Sequence, residues 1–103
     1  MDASSHTILL VQFGPDTSSR TYEDFETTTE AFDGICRLYE QALKEANPTL
    51  PSVTYDLSEL FKYIDGIGDI CVLVFNDKTS SYEPHTKEWI KTQLFHHLKR
   101  QVG

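Results

Sequence analysis

Apolar and polar residues follow one another along this chain with two different periods, and each change of period marks an element. Ile70-Cys71-Val72-Leu73-Val74-Phe75 is an unbroken apolar run, with Asp69 before it and Asn76-Asp77 after it. A short run rich in β-branched and aromatic residues predicts a strand buried on both faces. Ile8-Leu9-Leu10-Val11, inside a strand expected over 6–12, repeats that signal. Strands that are apolar on both sides need cover above and below.

Gly14, Pro15, Asp16, Ser18 and Ser19 then predict an exposed loop over 13–19. The more polar Arg20-Thr21-Tyr22-Glu23-Asp24-Phe25 returns as an edge strand, antiparallel to the first because the connection is short. The period next becomes helical. Phe32, Ile35, Cys36, Tyr39, Leu43 and Ala46 fall on one stripe, Thr27 with Glu30 forms a capping-box pattern, and Asn47-Pro48 stops the helix. Gly34 in this helix costs about 1 kcal/mol relative to Ala, which predicts a close approach to the sheet.

A connection from Pro48 to Pro51 leads through Val53-Thr54-Tyr55 to a second helix, capped by Asp56 with Glu59 and ended by Gly66 and Gly68. Leu57, Leu60, Phe61 and Ile64 make its apolar stripe. After a polar turn over 76–80, Ser81-Tyr82-Glu83 predicts a short fourth strand limited by Pro84. A third helix runs from about Lys87 to Gln101, with Trp89, Ile90, Leu94 and Leu98 on its buried side. The order ββααββα is that of an α+β domain with an antiparallel sheet.

The first strand raises a problem of cover. Thr7, Leu9, Val11 and Phe13 share the face expected under the helices, and His6, Ile8, Leu10 and Gln12 share the other. Leaving Ile8 and Leu10 in water forgoes roughly 1.5–3 kcal/mol per side chain. A second copy stacked face to face removes that exposure with one repeated surface. A homodimer is therefore expected; the alternative is a helix or the N-terminal tail of the same chain folded over this face.

With 103 residues the chain makes one domain, 1–103, whose ends at 1–5 and 102–103 are expected to be flexible. A formal charge of −7 works against direct nucleic-acid binding, which depends on cations. The polar, acidic start and the shortness of every apolar run predict a soluble intracellular protein with no membrane span. The two cysteines, Cys36 and Cys71, lack metal-ligand spacing and read as buried apolar residues.

His85, His96 and His97 are the first places to look for chemistry. Adjacent histidines on a helix point apart, so surface or half-buried roles fit better than a metal site. Asp65 and Asp69 could pair as carboxylates, but their place between helix and strand suits capping and turn roles. No catalytic motif or phosphate loop is present, so neither an enzyme nor a cofactor is expected. Thr21 and Thr27 each precede an acidic residue by three positions, a pattern that acidophilic kinases favour. For Thr27 the capping box accounts for the spacing, whereas a phosphate on Thr21 would sit next to the expected dimer surface and weaken pairing. Tyr39 and Trp89 are candidates to line a partner groove, or else core aromatics on their helix stripes.

Ser5-His6-Thr7-Ile8-Leu9-Leu10-Val11-Gln12, Arg20-Thr21-Tyr22, Asn47-Pro48, Thr54-Tyr55-Asp56 with Leu60-Phe61, and Lys87-Glu88-Trp89-Ile90-Lys91 strongly resemble the enhancer of rudimentary homologue (ERH) family. The likeness runs almost without gaps from Ser5 to Gln101. It implies a four-stranded antiparallel sheet with three helices on one face and a homodimer formed through the other. It further implies a non-enzymatic adaptor, nuclear and cytoplasmic, that binds short segments of RNA-binding or RNA-processing proteins in splicing, RNA decay or small-RNA biogenesis. Two other roles stand beside this one: a direct RNA-binding module using Lys99-Arg100, and a contact regulator of a pyrimidine-metabolism or cell-cycle protein. The expected pairing surface comprises His6, Ile8, Leu10, Arg20 and Tyr22. The sequence departs from the family at loop 13–19, which lacks basic residues, at Glu45-Ala46, and at His85, where an aromatic residue often follows the proline.

Overall fold

The computed structural model describes residues 5–49 and 57–102, with the backbone alone described over 100–102. Strands β1 (Thr7–Gln12) and β2 (Arg20–Phe25) are followed by helices α1 (Thr28–Ala46) and α2 (Leu57–Gly66). Strands β3 (Asp69–Asn76) and β4 (Ser81–His85) then lead into helix α3 (Lys87–Val102). One antiparallel sheet has the order β2-β1-β3-β4, so the two apolar strands lie in the middle. The α+β class, the four antiparallel strands and the order ββααββα follow the sequence reading.

Two of the predicted ends move. Strand β4 continues through Pro84 to His85, with Leu73 opposite Pro84 and Val72 opposite His85. On an edge strand a proline is tolerated where its missing N–H faces away from the ladder, so Pro84 does not end β4. Ala46, placed on the α1 stripe by its spacing, is exposed in the last residue of that helix, beyond the reach of the core. The expected Asp56 cap and the Val53-Thr54-Tyr55 segment lie outside the described residues, as do residues 1–4 and 103 of the ends expected to be flexible. Ser5, at the edge of that N-terminal segment, accepts a 2.9 Å hydrogen bond from the Thr7 hydroxyl on its carbonyl, and Val102 is the last residue of α3.

The core lies between one face of the sheet and the helices. Leu9, Val11, Ile70, Val72 and Val74 meet Ala31, Phe32, Ile35, Leu60, Ile64, Ile90 and Leu94 there, all buried. Local chemistry sets the helices on this face. The Thr27 hydroxyl accepts the Glu30 N–H at 3.1 Å, the N-cap half of the predicted box. Asn47 closes the other end of α1, its side-chain amide donating to the Leu43 carbonyl at 3.0 Å. Gly34 lies against Phe25 of β2, where an added Cβ would stand 2.6 Å from the ring. Its missing side chain allows the close approach that the sequence suggested. Between α2 and α3, Lys87 donates to the carbonyls of Asp65 and Ile67, and Lys91 pairs with the Asp65 carboxylate at 2.9 Å.

Candidate interaction surface

The register assigns a face to every strand residue, because directly opposed residues in an antiparallel pair share a side. Leu10 stands opposite Tyr22 on β2 and Cys71 on β3; Ile8 stands opposite Asp24 and Leu73. Phe75 stands opposite Tyr82 on β4. None of the described helices covers this side. Strand β3 therefore alternates within one chain: Ile70, Val72 and Val74 are buried, while Cys71, Leu73 and Phe75 are only half-buried. The unbroken apolar run does not mean burial on both sides by the chain itself. Its second side is half bare.

The bare face has an apolar centre and polar ends. Leu10 at 38% exposure, Tyr22 at 76% and Tyr82 at 40% are among the most exposed large apolar side chains. At one end the Arg20 Nε–H donates to the Gln12 side-chain oxygen at 2.6 Å, and Asp69 stands opposite Gln12 on β3. A cleft of about 310 Å³ opens there, lined by Leu10, Gln12, Arg20, Tyr22, Asp69 and Cys71 among others. At the other end the His6 ring lies between two strands that do not touch each other. Its Nδ1 is 2.8 Å from the Tyr82 hydroxyl on β4 and its Nε2 is 3.2 Å from the Asp24 carboxylate on β2. Neutral imidazole meets both partners when Nε2–H donates to the carboxylate and Nδ1 accepts the tyrosine O–H. His6 thus ties the two edges of the sheet together across its bare side.

All five residues of the expected pairing surface, His6, Ile8, Leu10, Arg20 and Tyr22, lie on this one face by register or by contact. Thr21 does not. It stands opposite Val11 on the side of the helices, exposed beyond their edge, so the phosphate considered above would project away from the bare face. Tyr39 is 6% exposed and packs on Tyr63 in the core, and Trp89 is half-buried against Phe32 and His85. Tyr39 thus sits in the core, and Trp89 packs against its edge. Asp24, Asp69, Phe75 and Tyr82 join the same face, each placed there by the pairing of its own strand with a neighbour.

The histidines divide in a way that spacing alone could not reveal. His96 is exposed, but His97 is 5% exposed, contrary to the surface or half-buried role expected, and its Nε2 lies 2.8 Å from an Asp33 carboxylate oxygen on α1. A polar ring enters the core because a carboxylate meets it there. His85 stacks on Trp89 with centroids 3.9 Å apart, and among the described residues nothing reaches its buried Nε2. Loss of hydration pushes its pKa below the ordinary histidine value, against a smaller upward pull from Glu83. Among the described residues no group of three or more His, Cys, Asp or Glu side chains is placed to hold a metal ion. No described helix is long and apolar enough to cross a membrane.

Together the fold and its bare side define a small α+β protein with helices on one face of an antiparallel sheet and an apolar stripe on the other. A family model described as Enhancer of rudimentary matches residues 3–103, and the chain belongs to that family. An enhancer of rudimentary homologue from Arabidopsis thaliana is 46% identical over 99 residues, covering 96% of this chain and 91% of the relative. One from Caenorhabditis elegans is 44% identical over 99 residues, covering 96% of each. A more distant one from Schizosaccharomyces pombe is 34% identical over 102 residues, covering 97% of this chain and 88% of the relative.

Proposed function

We propose that this chain is a non-enzymatic homodimeric adaptor that holds short segments of RNA-binding or RNA-processing proteins, in the nucleus and the cytoplasm. The observation that carries the dimer is the bare sheet face, with Ile8, Leu10, Cys71, Leu73 and Phe75 at its centre and charged or hydrogen-bonding residues at both ends. An apolar middle with a wet rim is the anatomy of a protein interface. A two-fold stacking of two such faces covers both with one surface. Family membership supports the adaptor role, and the charge of −7 favours recruitment of protein segments over direct contact with RNA. Two identical sites on one dimer bring two partner chains together and raise their local concentration.

The test has two arms. Static light scattering of the full chain at micromolar concentration is expected to give the mass of two chains. Affinity capture with mass spectrometry is expected to recover RNA-processing proteins that survive nuclease treatment. Tight, salt-sensitive binding of RNA by the isolated chain would replace the adaptor with a direct RNA-binding module. Recovery of a metabolic enzyme in place of RNA-processing proteins would make the chain a contact regulator.

A further inference from the structure

Among the described residues, the order β2-β1-β3-β4 leaves one row of backbone N–H and C=O groups of β2 without a strand partner. Such an edge is a template for another strand. The opposite edge, β4, is five residues long and carries Pro84. Strand β2 carries no proline, and its guard is charge alone, at Arg20, Glu23 and Asp24. Its register with β1 runs through six successive pairs without a bulge, and every residue from Arg20 to Asp24 is exposed.

Charge narrows what can lie along it. Directly opposed side chains in an antiparallel pair are stabilised by opposite charges and destabilised by like ones. When two copies of β2 meet on a two-fold axis at Tyr22, each Tyr22 faces the other, Arg20 faces Asp24, and Thr21 faces Glu23. An axis at Glu23 instead sets Glu23 against Glu23 and Asp24 against Tyr22. An axis at Thr21 leaves Arg20 opposite Tyr22 and sends Asp24 to Ser18 in the loop. Only the first of these registers matches both charges of opposite sign and joins no like pair.

We infer that β2 is a self-pairing edge, on which the β2 of a second copy docks antiparallel with Tyr22 on the axis. The two sheets then become one continuous eight-stranded sheet. The contact uses the backbone of β2, with Thr21 and Glu23 meeting on the helix side and Arg20, Tyr22 and Asp24 on the bare side, where Arg20 also reaches Gln12 and Asp24 also reaches His6. The net charge of −7 per chain opposes it at low salt, which makes it a weak, concentration-dependent contact.

Thr21→Cys and Glu23→Cys, each made in a Cys71→Ser background, test this directly. Both positions are exposed and on the helix side, out of reach of a contact through the bare face. Opposed residues of an antiparallel pair have Cα atoms about 4.5–5.5 Å apart, within the span a disulfide bridges. The two variants are mixed at high concentration in moderate salt with oxidised glutathione, which takes up the electrons as two thiols join. A dimer linked from residue 21 to residue 23 is expected several-fold above the yield of either variant alone. Adding Asp24→Arg to both chains sets cation against cation at each end and is expected to return the yield to that of the single variants. Equal yields in mixture and singles, with circular dichroism showing folded chains, would overturn the inference. So would a mixed disulfide indifferent to Asp24→Arg, or capture of β2 by an unrelated peptide in place of its own copy.

Discussion

Gly34 and Gly66 are both helical, yet they predict opposite responses to a methyl group. At Gly34 a Cβ would stand 2.6 Å from the Phe25 ring, inside a packed core; at Gly66 it would meet nothing within 4 Å. Gly34→Ala should therefore destabilise by about 1–3 kcal/mol, the steric cost exceeding the gain in helix propensity. Gly66→Ala should be neutral or slightly stabilising, and urea denaturation of the two variants measures the difference. His85 sets a pH dependence. Its folded pKa lies below the ordinary value near 6.5, so the unfolded chain takes the proton first as pH falls. The stability that neutral His85 supports is full above that value and is lost as pH drops through it toward the folded pKa. His85→Phe keeps the stack on Trp89 and removes the buried nitrogen without a partner. It should raise stability and flatten the slope below about pH 6.5, as followed by thermal melts across the range.

The elements differ in how much of their role a linear reading can reach. Helix α1 is almost fully legible, because its stripe, its cap at Thr27 and its stop at Asn47 are local signals read from neighbours in sequence. Thr27→Ala should cost about 1 kcal/mol in chemical denaturation, and Thr27→Asp should restore most of it. Strand β3 was legible as a strand that its own helices cover on one side only, but not as to which of its residues that side holds, since six apolar residues in a row carry no information about which face the helices will take. Strand β4 was cut short at Pro84, because whether a proline's missing N–H matters depends on being at an edge, a fact of the sheet order. His97 escaped for a related reason. Its partner Asp33 is 64 residues away, so nothing near it in sequence announced a buried ring.

At the scale of the molecule, the proposed dimer rests on the bare face. Ile8→Arg with Leu10→Arg would bring four guanidinium groups together across a stacked pair of faces. Light scattering should show the double variant as a monomer that keeps the circular dichroism of the parent, since neither side chain is part of the helix-covered core. A double variant that stays dimeric would place the contact elsewhere. The location of that face was readable from the alternation along β1, whereas its polar ends, and the His6 link between Asp24 and Tyr82, required knowing which strands are neighbours.

The central pairing of β1 with β3 has a consequence in time. Its register joins Thr7 to Val74 and Gln12 to Asp69, so the middle of the sheet closes across an intervening stretch that holds β2, α1 and α2. Pairing across so long a loop costs more chain entropy than closing either hairpin, and the union of the two hairpins is the step expected to be slow. Until then both hairpins display an unzipped apolar border to the surrounding solution, and a newly made chain is most prone to aggregate in that interval.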